Sequence, residues 1–299
     1  MRILLLILVT VITTSFSAEP SKVPGQLIDM GGFNLHFIDN HPKNKPVVLF
    51  VHGMGGSAEE WQQVSELLDC CRTIAIDLHG SGFSDFGSLN HTLYQQVFDV
   101  HRLLEKVDIN GQLIIVGQSF GGLFALEFAK RYPDQVAGMV LVDSSHPDML
   151  LRYRNKDGSR SWQKSRERVR EGVEIPEPSM PVIDPNREMI SPEIPQPKGL
   201  NTYNNYVLAK MYEEWDSYHL GVKPLAVISA EGGSPEGDGK MSSEALDAHD
   251  LKLKQSLYGL STQALFMRLS EGSHKLHLSE PETVADSVNW VIRTLKRES

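Results

Sequence analysis

The chain has 299 residues, 40% of them apolar and 22% charged, enough for one large α/β domain or two small ones. A formal net charge of −9 leaves no electrostatic basis for nucleic acid as a partner. The two cysteines, Cys70 and Cys71, are adjacent, so no disulfide framework can be built from them and stability must come from the core.

Met1-Arg2 precedes an apolar run from Ile3 to Ile12 and then T-T-S-F-S-A. Ser15 and Ser17 are small residues at the −3 and −1 positions of a cut between Ser17 and Ala18, so residues 1–17 read as a secretory signal peptide. The run is short for a membrane span and lacks stop-transfer charges. A secreted or periplasmic protein is therefore expected, without stable membrane insertion once the signal is removed. Cleavage takes away Arg2 and no acid, which makes the balance one unit more negative.

Gln26–Met30 and Leu35–Asp39, around Gly31-Gly32, read as a strand pair at a sheet edge. Pro46–Val51 is a continuous apolar run, the mark of a strand buried on both faces, and it ends in His52-Gly53-Met54-Gly55-Gly56. Ser57 with Glu60 reads as a capping box opening a helix through Leu68. Thr73–Asp77 is another buried strand, running into a Gly/Ser loop. Thr92 with Gln95 caps a helix whose Val97, Val100, Leu103, Leu104 and Val107 form one apolar face.

Gln112 to Gly122, Q-L-I-I-V-G-Q-S-F-G-G, reads as strand, sharp turn and helix with Ser119 at the apex. A serine there is held in a strained conformation, and its neighbours two residues away, Gly117 and Gly121, must be small. The helix behind it aims free N–H groups at negative charge developing on a substrate. This is the G-x-S-x-G nucleophile elbow in its structural context.

Val136–Val142 is the next strand, closing on Asp143. From Asp148 to about Gly221 the alternation breaks. Ser161–Glu171 reads as a charged helix, seven prolines fall between Pro176 and Pro197, and a second helix spans roughly Thr202–His219. Alternation resumes with strand Leu225–Ala230, helix Ser243–Tyr258, strand Ala264–Leu269 and a helix after Pro281. The expected division is a signal peptide at 1–17, a core at 18–147, a lid at 148–221 and the rest of the core at 222–299. Such alternation predicts a mostly parallel sheet with helices on both faces, and the insertion predicts a lid above the carboxyl ends of its strands.

These features together resemble the α/β-hydrolase fold family. The carriers are His52-Gly53, the Asp77…Gly80-x-Gly82-x-Ser84 loop, Gly117-Gln118-Ser119-Phe120-Gly121-Gly122, and Gly272-Ser273-His274 followed by Pro281. The lid is not part of the resemblance. The family order of serine, acid and histidine assigns Ser119 as nucleophile and His274 as base, with Ser273 where the family has glycine. His277 is the rival base, read instead as solvent-facing or lid-contacting.

Most family members take the acid from the strand after the lid, where Glu231, Glu236 and Asp238 lie. A minority takes it from the preceding strand end, where this chain has Asp143. An acid that fixes an imidazole tautomer belongs at a rigid strand end, which favours Asp143 over Glu231. The oxyanion donors implied are the backbone N–H groups of Phe120 and Met54, with His52 supporting the loop. His274-x-x-His277 has metal-ligand spacing but no evident third ligand, so no metal and no cofactor is expected.

The resemblance implies a secreted serine hydrolase acting on a small-molecule carboxylic ester through an acyl-enzyme. A serine nucleophile argues against epoxide-hydrolase and dehalogenase chemistry, for which those relatives need an aspartate. A proline-iminopeptidase-like aminopeptidase would need acidic lid groups such as Glu213, Glu214 and Asp216 to hold an amine. A ligand binder that keeps the fold without turnover is the reading from another class.

Overall fold

The computed structural model describes residues 23–40, 46–86, 92–154, 160–164, 166–167, 208–231 and 240–298. The sequence-predicted signal peptide, the proline-rich stretch, the 232–239 loop with Glu236 and Asp238, and the start of the second lid helix lie outside the described residues.

The central sheet is built from β1 (Gln26–Asp29), β2 (Asn34–Asn40), β3 (Val47–Val51), β4 (Arg72–Ile76), β5 (Leu113–Gln118), β6 (Val136–Val142), β9 (Leu225–Ala230) and β10 (Ala264–Leu269). They stand in the order β1-β2-β4-β3-β5-β6-β9-β10. β1 and β2 pair antiparallel, as do β2 and β4; every pairing from β4 to β10 is parallel.

All five residues of β3 are buried, and their alternation divides them between two cores. Val47, Leu49 and Val51 join a cluster with Ile115, Leu141, Leu123, Phe124 and Val97 on one face. Val48 and Phe50 join Val116, Val142, Trp61, Val288 and Val291 on the other. Each such side chain contributes roughly 1.5–3 kcal/mol on burial, so a one-residue slip of β3 would mispair both cores.

Helices α2 (Leu93–Lys106) and α3 (Phe120–Arg131) cover the first face. The second is covered by α1 (Gln62–Glu66) and α6 (Pro281–Glu298). Between α3 and α6 in chain order come α4 (Ser243–Tyr258) and the short α5 (Leu276–Ser279). α2 is capped as its sequence implies, the Gln95 N–H donating to Thr92 Oγ1 at 3.1 Å. α6 opens on Pro281 and buries Val284, Val288 and Val291, the 3–4 spacing of an amphipathic helix.

The expected helix from Ser57 to Leu68 is instead a 3-10 turn, Ala58–Trp61, followed by short α1. Its capping box does not form, because Ser57 makes no side-chain cap and the Glu60 carboxylate turns to Lys275 and His277. The predicted helix at Ser161–Glu171 is corrected at its start, and most of its remainder lies outside the described residues. Arg160–Lys164 is strand β8, paired antiparallel with β7 (Leu150–Arg154). Asp157-Gly158 between two short β-prone runs is a hairpin signal that outweighs the helical spacing of the arginines.

Candidate active site

β4 lies on one side of β3 and β5 on the other, so the chain changes direction across the sheet between β3 and β5. The loop after β3 leads to α1 on one face and the turn after β5 leads to α3 on the other. A crevice opens at their carboxyl ends, where open α/β sheets bind ligands. Ser119 and the 52–56 loop meet there: a Cβ placed on Gly53 would stand 3.0 Å from Ser119 Cβ.

Ser119 has φ 51° and ψ −116°. Such a conformation costs about 1–3 kcal/mol and persists only when its surroundings enforce it. The enforcement is visible. Ser119 N–H donates to the Val142 carbonyl at 3.1 Å, and Ser145 N–H donates to the Ser119 carbonyl at 3.0 Å. A side chain on Gly117 would overlap the Gly121 carbonyl, and one on Gly121 would overlap the Val51 carbonyl. Among the described residues only Asp108, Ser119 and Asp143 are non-glycine with positive φ. Asp108 closes α2; the other two face the crevice.

Asp143, at φ 40°, follows directly on β6, and its N–H donates to the Ile228 carbonyl of β9 at 2.7 Å. The His274 Nδ1–H donates to Asp143 Oδ2 at 2.6 Å, joining residues 131 apart in sequence. That bond leaves Nε2 as the basic nitrogen. Burial pushes the Asp143 carboxyl up, but the His274 bond and the Lys254 charge outweigh it and hold it below the ordinary aspartate range. The His274 side chain is 61% exposed, and its backbone carbonyl accepts from Gln118 Nε2 at 2.9 Å, tying it to the residue before Ser119. No hydrogen bond joins the Ser119 hydroxyl to His274 among the described residues, the loose geometry catalytic pairs often have before substrate arrives.

Glu231, the alternative acid, points elsewhere. Its carboxylate is half exposed and lies 3.6 Å from Arg268. Asp148 pairs with Lys164 at 2.6 Å and Arg166 at 2.9 Å, at the foot of the inserted region. His277, expected at the surface or against the lid, is fully buried, stacked on Trp61 at 4.4 Å and bonded to Glu60 at 3.2 Å. Glu60, which also binds Lys275, therefore braces the segment just after His274 from both sides. Sequence reading did not assign this role.

The 52–56 loop is held from beneath. The Leu78 N–H donates to His52 Nε2 at 3.0 Å, so the ring proton sits on Nδ1 and donates to the Gly53 carbonyl at 2.6 Å. Burial pushes His52 down, and with both ring nitrogens already committed it has no lone pair free to act as a base. The Phe120 N–H, at the start of α3, has no partner within the helix. Met54 is 77% exposed at the crevice, its N–H in the loop that His52 supports.

Beside His274 lies a cavity of about 290 Å³ lined by Asp143, Met149, Leu150, Trp162, Leu253 and Lys254, among others. Of the acidic groups considered for an amine, Glu214 pairs with Lys130 on α3, and Glu213 lies 3.5 Å from Lys210. None of these, nor Asp216, lines the cavity. No group of three side chains that could hold a metal occurs among the described residues.

Residues 46–177 match the model of a family described as the alpha/beta hydrolase fold. Epoxide hydrolase 3 of Xenopus tropicalis is 29% identical over 125 residues, 41% of this chain and 34% of that protein. The non-heme chloroperoxidase of Streptomyces lividans is 34% identical over 136 residues, 45% of this chain and 49% of that protein. The chain thus spans about a third to a half of the curated relatives it matches. An esterase from Thermogutta terrifontis superposes with a TM-score of 0.61 at 20% identity, over 91% of this chain and 99% of that one, a likeness of fold. By sheet order, elbow and these matches, the chain has the α/β-hydrolase fold.

Proposed function

We propose that the protein is a serine hydrolase that cleaves carboxylic esters through an acyl-enzyme. His274 Nε2 takes the Ser119 hydroxyl proton as Oγ attacks the ester carbonyl carbon. The resulting oxyanion is held by the N–H groups of Phe120 and Met54. His274 then returns the proton to the departing alkoxide, and the same steps with water as nucleophile release the acid and restore Ser119. Asp143 keeps the ring in the Nδ1–H tautomer and stabilises the cation that forms.

One observation carries this reading: the 2.6 Å bond between Asp143 and His274, delivered from two strand ends to the crevice where Ser119 is held in a strained turn. The cavity beside His274 is lined in part by Met149, Leu150 and Trp162, which supports reading the inserted region as a lid beside the site. The test is labelling with a fluorophosphonate probe, with Ser119→Ala as control, followed by rates on p-nitrophenyl esters and aminoacyl amides. Labelling lost in S119A and turnover of esters over amides is expected; an unlabelled wild type overturns the reading. We also propose export with cleavage between Ser17 and Ala18, for which the N-terminal sequence of exported protein is the check. Protein retained in the cytoplasm with Met1 intact overturns that part.

A further inference from the structure

The mechanism above uses one oxygen of Asp143. The carboxylate is nearly buried, and an ionised group there is costly unless its remaining lone pairs are met. Oδ1 is met by Lys254 Nζ at 3.1 Å and by Ser229 Oγ at 3.4 Å. Lys254 comes from α4, and its side chain is only 5% exposed, a rare placement for lysine. Its ammonium also donates to the Ser144 carbonyl at 2.5 Å. Ser144 in turn fills the space beside Gly122 of α3, where any side chain on Gly122 would overlap its hydroxyl. One buried cation therefore pins the acid, the loop that carries it and the seat of the nucleophile's helix.

We propose that Lys254 is a positioning residue of the hydrolytic site, locking the Asp143 carboxylate against His274 and setting the lower pH limit of activity. The proposal rests on the serine-hydrolase reading. With the ammonium in place, His274 faces an Asp143–Lys254 pair of almost no net charge. Without it, the ring faces a full carboxylate charge, which favours an imidazolium already protonated at rest and useless as a base. Lys254 thus offsets the carboxylate charge that the ring faces while preserving Asp143 as an acceptor.

The other charged groups nearby do not substitute for it. Asp250, on the same helix, lies 3.9 Å from Nζ with its carboxylate half exposed. Asp247 pairs with Arg268, as does Glu231. Asp148 is matched by Lys164 and Arg166. Burial holds His146 down at about 3, so it stays neutral in the working range, and His249 lines the cavity without contacting Asp143.

The experiment compares kcat/KM on p-nitrophenyl acetate against pH for the wild type, K254M, K254Q, K254R and S229A, each also labelled with fluorophosphonate. K254M and K254Q are expected to label at high pH, with kcat/KM down about tenfold and the acid half-activity point raised by about one pH unit. K254R returns that point to the wild-type position, and S229A, which removes a neutral donor, lowers the rate without moving it. A folded K254M or K254Q whose acid limb superimposes on the wild type's overturns the proposal. So does a set in which both neutral variants fail to fold while K254R is normal, since Lys254 is then purely structural. An unlabelled wild type fails the hydrolase reading itself, a separate outcome.

Discussion

Among the described residues, serine, histidine and aspartate converge near the amino end as well as at the crevice. Near the amino end, His36 Nδ1 donates to Asp77 Oδ2 at 2.7 Å, and the His36 N–H donates to Ser84 Oγ at 2.8 Å. At the crevice, His274 Nδ1 donates to Asp143 at 2.6 Å with Ser119 close by. The two groups share residue types and bond lengths and differ in what is left over. The second ring nitrogen of His36 is spent on the Pro24 carbonyl, and the ring is fully buried. His274 keeps Nε2 uncommitted and is largely exposed. Burial pushes His36 down, but the Asp77 bond and the Pro24 carbonyl outweigh it, so the ring is held above its ordinary value. A base needs a lone pair and a route to substrate; His36 has neither, and its triad of types is a clasp between β2 and the loop after β4.

The sharpest way to break this contrast is to remove each histidine. H274A and S119A are expected to lower ester kcat/KM by about 10⁴-fold or more with little change in unfolding midpoint. D143N should lose about 10³–10⁴-fold by favouring the wrong tautomer. H36A should label with fluorophosphonate at the wild-type rate per folded molecule. Slow labelling in H36A would erase the distinction between the two groups.

The next effect is on stability. Asp77 is buried and accepts from His36, from the Ala58 N–H at 2.6 Å and from the Phe83 N–H at 2.9 Å. D77A strands a buried imidazolium and two N–H groups, and the expected loss is about 3–5 kcal/mol in urea unfolding. Glu60 sits between the two regions in kind. It contributes to no chemistry directly, yet it holds Lys275 and His277 on either side of the turn after His274. E60Q keeps the shape and drops the charge, so kcat/KM is expected to fall about tenfold with KM little changed. A fall confined to stability would make Glu60 a brace of the fold alone.

Which parts were legible beforehand follows from how local their causes are. β6, β9, α4 and β10 begin and end where apolar periodicity and the flanking turns place them. The position of Asp143 beside His274 follows from a mechanical argument, that a strand end is stiffer than a glycine-rich loop, and Glu231 does turn away to Arg268. Glu60 and His277 were misread because their partners arrive from more than 200 residues away, and a capping box is a purely local signal. Lys254 was passed over because a helical lysine ordinarily marks a solvated face. The available clue is spacing: with Leu246, Leu253 and Leu257 it lies on the buried side of α4.

The smallest expected effect tests the clasp through its protons. His36 is held above its ordinary value, so its contribution is complete below the usual histidine range and is lost as pH rises through the raised value. For Asp77, burial pushes the carboxyl up, but the His36 bond and the Ala58 and Phe83 N–H groups hold it below its ordinary value. Its contribution is therefore present above the usual aspartate range and is lost as pH falls through the lowered value. The two windows overlap between about pH 4 and pH 6.5, where the pair is fully charged in both partners. Urea midpoints of the wild type and H36Q should differ most near pH 5, with the difference shrinking by about 1 kcal/mol towards pH 8 and again towards pH 3. A difference flat across that range would mean His36 is neutral when folded, and the clasp would then be a hydrogen bond from a neutral ring.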